Sequence, residues 1–170
     1  AGEGAGALSA KGNRAGKLAI VAEGVLEWRV PGVRGVARAC DRTMLVSAPF
    51  SVPRSSAMPH LENFELQLQL FPLGSRRRTE EGFCSLYISA PEGLHLQFLL
   101  SLGAAEHGPM ECYFDRPNKI TGRHDFCALE EQLEADGSAV VGFTVLQVDF
   151  VPVASRSASA AGGASSTVRF

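Results

Sequence analysis

The sequence predicts an all-β fold, an antiparallel β-sandwich of about seven to eight strands with one short helix. Three observations carry this expectation. Residues Phe64 to Phe71 alternate apolar and polar side chains with period two, and Pro72 and Gly74 then stop the pattern. Similar alternation recurs in Val25–Val30, Cys84–Ser89 and Leu94–Leu102, with Gly or Pro close to each end. Helical spacing is visible only in Phe126–Ala135.

A strand sends successive side chains to opposite faces, so each run divides into a dry and a wet side. In the first run Leu26, Trp28 and Val30 share a face, and Pro31-Gly32 ends it. Met44 to Val52 offers Met44, Val46, Ala48, Phe50 and Val52 on one face. Phe64, Leu66, Leu68 and Leu70 form a dry face opposite Glu65, Gln67 and Gln69, as expected of a half-buried antiparallel strand. Cys84, Leu86 and Ile88 alternate with Ser85, Tyr87 and Ser89. Leu94, Leu96, Phe98, Leu100 and Leu102 alternate with His95, Gln97, Leu99 and Ser101. Glu111–Phe114 is a shorter candidate, and Val140–Val151, apolar in part on both faces, is predicted to be central. In the helical stretch Phe126, Leu129, Glu130 and Leu133 fall on one side, with Asp125 as a cap and Asp136-Gly137 as the stop.

The chain has 170 residues, 45% hydrophobic and 20% charged, with a formal net charge of −2. That suits one domain, expected over residues 17–153, between a flexible arm (1–16) and a Ser/Ala/Gly-rich tail (154–170). A domain near this size buries roughly 70% of its unfolded surface and needs no disulfide or metal for stability. The near-neutral charge argues against nucleic acid as a partner. No run of about 18 apolar residues is present, so no membrane span is expected. The sequence opens with neither Met nor a basic-then-apolar leader, which suggests a piece of a longer protein. Cys40, Cys84, Cys112 and Cys127 include no Cys-x-x-Cys, and no Asn-x-Ser/Thr acceptor occurs. Reduced thiols and an intracellular, cytoplasmic setting follow as the expectation, with the nucleus left open.

Motifs for catalysis and cofactors fail on inspection. Gly12 to Leu18 glances at a phosphate-binding loop, but it is one residue short and has Leu18 where Ser or Thr must hold a metal ion. The Gly2, Gly4, Gly6 run follows no strand, so it is not a dinucleotide site. His60, His95, His107 and His124 lack zinc-ligand spacing, and the aspartates are too scattered for a calcium sandwich. Cys127 near His124 is the one local nucleophile–base candidate, and core packing of Cys127 is the favoured reading. Arg76-Arg77-Arg78 reads as a solvated loop, with an acidic partner as its alternative. No catalytic residue, metal or cofactor is therefore assigned. Tyr87, opposite a dry face, is either a recognition anchor or a partly covered surface side chain.

The order of these segments resembles the MATH (meprin and TRAF homology) domain, a TRAF-like β-sandwich family. Leu26-Glu27-Trp28-Arg29-Val30 is similar to that family's first strand, and Ser47-Ala48-Pro49-Phe50 to its Ser-x-x-Phe segment. Phe64 to Gly74 resembles its aromatic-x-Leu-x-Leu-x-x-Pro-x-Gly strand and turn, and Ser85-Leu86-Tyr87-Ile88 its Ser-Leu-Tyr-Leu strand. Gly122 to Cys127, followed by Leu129 and Leu133, is similar to its Gly-x-x-x-Phe-aliphatic element, and Val140–Val148 to its last strand. The resemblance spans roughly residues 18–151. Phe64 stands where the family usually has Trp, and Ile120-Thr121-Gly122-Arg123 stands where it often has an acidic-Trp-Gly-aromatic run.

The resemblance implies a non-catalytic protein–protein interaction domain. It would bind an extended peptide segment of a partner in a shallow groove on one sheet, as an adaptor or substrate-recruitment module, often in the ubiquitin pathway. It places Tyr87, Phe98, Tyr113, Lys119, Thr121, Gly122 and Arg123 in or near that groove, with Arg123 favouring a more acidic ligand. The missing Trp-containing run motivates the alternative, a structural or self-association module with a degenerate groove. A homo-oligomer is left open, and catalysis at Cys127 is the weakest reading.

Overall fold

Period-two burial sets the architecture. The computed structural model describes residues 13–39, 42–52, 64–75 and 79–151. Along the chain run β1 (Asn13–Arg14), β2 (Lys17–Ala22), β3 (Val25–Val30), α1 (Val33–Arg38), β4 (Leu45–Val46), β5 (Phe50–Ser51) and β6 (Glu65–Phe71). There follow β7 (Phe83–Ser89), β8 (Leu94–Leu102), β9 (Ala105–Tyr113), β10 (Ile120–Ala128), α2 (Leu129–Gln132) and β11 (Ala139–Phe150). The front sheet has six strands, in the order β1-β4-β6-β7-β10 with β5 also on β6, and the back sheet has five, in the order β2-β3-β11-β8-β9. Every pairing is antiparallel except that of β1 with β4. The all-β sandwich is the expected class. Eight of the described strands are at least six residues long, and three two-residue strands add to that number.

The core lies between the sheets. Leu66, Leu68 and Leu70 of β6 are fully buried, while Glu65 is exposed and Gln67 and Gln69 are half-buried. Leu94, Leu96, Phe98, Leu100 and Leu102 of β8 are buried in the same alternating way. β11 pairs with β3 on one side and β8 on the other, the central place its apolar composition predicts. Its Phe143 ring lies 5.7 Å from Phe50 of the front sheet and 5.7 Å from Phe98 of its own.

One side of the sandwich is closed by the chain passing from sheet to sheet. Ala15 donates its N–H to the Val46 carbonyl of β4 at 3.2 Å. Its own carbonyl accepts the indole N–H of the fully buried Trp28 at 2.7 Å. The next residue must be glycine: Gly16 has φ +83°, and a Cβ there would stand 2.1 Å from the Arg29 carbonyl oxygen. The expected arm over 1–16 is corrected accordingly, because Asn13 to Gly16 belong to the sandwich. A two-residue strand is too short to show periodicity. Residues 1–12, Cys40, His60, Arg76–Arg78 and the expected tail lie outside the described residues.

Other departures have local causes. Met44–Val52 is not one strand, because Ser47 interrupts it: the Leu68 N–H donates to the Ser47 hydroxyl at 3.0 Å, and the Ser47 N–H donates to the Leu68 carbonyl at 3.0 Å. Both Leu45 and Val46 are then buried, and the strand resumes only at Phe50. The short candidate at Glu111–Phe114 is the end of the nine-residue β9. Gly108 and Pro109 sit on this edge strand at a register shift opposite Phe98–Leu100, where a missing N–H is tolerated. Helix over Phe126–Ala135 is also corrected. Cys127 and Ala128 still pair with Cys84 and Phe83 of β7, so only Leu129–Gln132 is helical. Asp125 accepts the Glu80 N–H at 3.0 Å instead of capping a helix.

The unpredicted helix α1 closes one end of the sandwich with buried Val33. Arg34 donates through Nε to Glu130 at 2.7 Å and through its two terminal nitrogens to the carbonyls of Ala135 and Glu134. Arg29 pairs with Glu134, and the Ser138 hydroxyl donates to Asp136 at 2.6 Å. The Arg29 hydrogen bond, then that of Ser138, holds the Glu134 carboxyl below the usual carboxylate range, and Ser138 does the same for Asp136. No helix among the described residues is long and apolar enough to cross a membrane.

Two outcomes follow. Trp28→Phe removes the donor to the Ala15 carbonyl and leaves space beside it, so we expect a loss of about 1–3 kcal/mol in urea unfolding. A loss below about 0.5 kcal/mol would mean the crossing does not depend on that indole. For Glu134, a depressed carboxyl stabilises the fold above its unfolded pKa, and the contribution disappears as pH falls through the folded value. Thermal melts should therefore show Glu134→Gln less stable than wild type at neutral pH, with the difference closing in acid.

Candidate functional site

The outward face of β6, β7 and β10 carries most of the chemistry that sequence places opposite the core. Tyr87 stands at its centre, opposite Gln69 on β6 and Gly122 on β10. The Phe71 ring meets it edge-on, with centroids 5.8 Å apart. Beyond Phe71 the chain turns back over this face. Ser75 Oγ and the Tyr87 hydroxyl are hydrogen-bonded at 2.7 Å, and the Ser75 N–H donates to Ser85 Oγ at 2.8 Å. Ser85 in turn donates its hydroxyl hydrogen to the His124 carbonyl of β10. Gly74 makes the fold-back possible: at φ +78° it lies under Thr79, whose methyl carbon would stand 2.3 Å from a Cβ there.

Tyr87 is consequently only 8% exposed, and Ser85 is fully buried. The wet face expected at β7 is dry at this point because residues 72–75 cover it. Its polar groups are satisfied within the chain.

The seven expected groove residues do not converge. Gly122 adjoins Tyr87 and permits the close approach of β10, since a Cβ would lie 2.1 Å from the Leu86 carbonyl oxygen. Thr121 is half-buried, and its hydroxyl lies against the Cys112 thiol. Arg123 is exposed, and its guanidinium donates to His107 Nδ1 of β9 at 2.9 Å. His107 Nε2 is 2.6 Å from the Phe126 carbonyl, so donation there fits a neutral ring that accepts at Nδ1. This bridge stitches the neighbouring edges of the two sheets. Lys119 donates to the Tyr113 carbonyl at 2.8 Å and to Asp115 at 3.1 Å, which holds the Asp115 carboxyl below its usual range. Tyr113 pairs with His95 on the back sheet and donates its hydroxyl to the Val151 carbonyl at 2.9 Å. Phe98 is fully buried in the core, so its placement in a groove is corrected.

An open groove of about 680 Å³ lies at the other end of the same front face. Gln67 and Ser89 form its floor, Glu65 and Glu92 flank it, and Pro49, Pro91, Pro117 and Asn118 wall it from three loops. Ser89 pairs with Gln67 on one side and with Ile120 on the other. Ile120, 45% exposed, thus extends the row across β10. Among the described residues the lining contains two carboxylates and no basic side chain. The wet residues of β6 were legible from alternation, but the three proline-bearing loops gave no signal that they would meet.

Cys127 lies against Cys84, whereas His124 pairs with Asp125 at 2.9 Å. No group of three or more His, Cys, Asp or Glu among the described residues is placed to hold a metal ion. No protein-family model matches this chain, and no curated protein matches it.

The cover over Tyr87 can be tested by a double-mutant cycle on Tyr87→Phe and Ser75→Ala. Direct hydroxyl contact gives an expected coupling of about 0.5–1.5 kcal/mol in chemical unfolding. Additive losses would place Ser75 elsewhere.

Proposed function

We propose that this chain is a non-catalytic protein-interaction domain that binds an extended peptide segment of a partner on the front sheet. The observation that carries this reading is the polar row Gln67–Ser89, continued by Ile120 and opening into a groove flanked by Glu65 and Glu92. Amide and hydroxyl side chains offer hydrogen bonds to an extended backbone, and Ile120 offers an apolar contact. The two carboxylates favour Lys or Arg in the ligand, in place of the acidic ligand suggested by Arg123 alone. The MATH resemblance implies the same class; its quoted segments lie on β3, at the break between β4 and β5, and on β6, β7, β10 and β11. Under that resemblance the domain would be a cytoplasmic adaptor recruiting a partner tail or a substrate of the ubiquitin pathway.

A second reading has one observation in its favour. Tyr87 is covered by Ser75 of its own chain, as a module with a degenerate groove would have it. Such a domain would serve a structural or self-association role.

An array of extended peptides of graded charge separates the two. We expect peptides bearing Lys or Arg to bind and acidic ones to fail. Ser89→Arg should weaken binding at least about tenfold, or ~1.4 kcal/mol, with the circular dichroism unchanged. Full affinity in Ser89→Arg would move the site off this groove. No peptide binding, together with a concentration-dependent dimer in sedimentation, would favour the second reading.

A further inference from the structure

Cys84 on β7 and Cys127 on β10 stand directly opposite each other in an antiparallel pair. Their sulfurs are 3.7 Å apart in the core between the sheets. Opposed residues in such a pair hold their Cα atoms about 4.5–5.5 Å apart, inside the span of roughly 4.4–6.8 Å that a disulfide bridges. Bond formation draws the sulfurs together to ~2.05 Å. β10 has its register shift between Arg123 and Cys127, immediately before the cysteine that must move. An irregularity of this kind bends the strand locally and gives the backbone room to adjust. The two thiols also differ in access: Cys127 is 8% exposed and Cys84 is fully buried. Cys112 belongs to a different setting, on β9, with its thiol 3.7 Å from the Tyr113 carbonyl.

We propose that Cys84 and Cys127 form a redox-active dithiol, in which a hydroperoxide oxidises Cys127 and Cys84 resolves the product to a cross-strand disulfide. In the first step the Cys127 thiolate attacks the peroxide, the O–O bond breaks, and sulfenic acid and an alcohol (or water) form with uptake of one proton. In the second, Cys84 sulfur attacks Cys127 sulfur, the S–O bond breaks, and the hydroxyl leaves as water with the Cys84 proton. The two thiols lose two electrons in all, and the peroxide accepts them. The division of labour agrees with where the proton resides. Its hydrogen bond to Cys127, together with burial, pushes the Cys84 thiol far up, and the same hydrogen bond lowers Cys127. Oxidation would join β7 to β10 covalently.

The test treats the full reduced chain with hydrogen peroxide, alkylates the remaining thiols and maps peptides without reductant. Expected are a linked pair of peptides containing Cys84 and Cys127, parallel loss of alkylation at both, and retained alkylation at Cys112. Dithiothreitol should reverse the change. In Cys84→Ser, dimedone should capture Cys127 as sulfenic acid. Free Cys84 and Cys127 after a dose that oxidises Cys112, or linkage of Cys127 to another cysteine, would overturn the proposal. The wild-type peptide map decides the matter even if Cys84→Ser does not fold.

Discussion

Mutual burial of the two inner faces is the constraint from which the rest follows. Side chains on a strand alternate, so once Leu66, Leu68 and Leu70 face the back sheet, Gln67 and Gln69 must face away. The same parity carries from β6 to β7 through the pairing of Leu68 with Ile88 and of Gln69 with Tyr87. A one-residue slip would put leucines into water and glutamines into the core. Each fully buried leucine is worth about 1.5–3 kcal/mol relative to exposure, so such a slip is strongly opposed. The outward row at Gln67, Ser89 and Ile120 is therefore a by-product of core packing, and the groove depends on it.

Two seams hold the sheets in place at their edges. At one, Ala15 accepts from Trp28 of the back sheet and donates to Val46 of the front sheet. At the other, His107 of β9 accepts from Arg123 and meets the Phe126 carbonyl of β10. The Trp28 indole and the Phe126 carbonyl belong to buried residues, where an unmade hydrogen bond is costly, whereas the Arg123–His107 bond is exposed. Ser47 plays a comparable part within the front sheet, because its hydroxyl receives the Leu68 N–H where the strand breaks. Arg123 and Lys119 are thus engaged with neighbours in the fold, and the open groove draws its charge from Glu65 and Glu92.

The long strands were legible because their burial is decided residue by residue. β6, β8 and β11 show this best, since alternation or continuous apolarity reports directly on one or two covered faces. β9 was largely hidden because Gly108 and Pro109 mimic a turn, although an edge strand accommodates them. The end of β10 was misread because Phe126, Leu129 and Leu133 also satisfy helical spacing, while the ladder to Cys84 and Phe83 keeps the chain extended through Ala128. The site was less legible than the fold. Parity gave the direction of Tyr87 correctly, but its cover comes from Ser75, and no local pattern links the two. The groove requires loops around Pro49, Pro91 and Pro117 to meet, which is a matter of tertiary arrangement.

Substituted-cysteine labelling along β6 tests the governing parity most directly. Single cysteines at each position from Glu65 to Leu70 would be exposed to a thiol reagent under native conditions and located by mass spectrometry. Fast labelling at positions 65, 67 and 69 with protection at 66, 68 and 70 is the expected result. Uniform labelling, or the reverse alternation, would contradict the sandwich and the groove built on it.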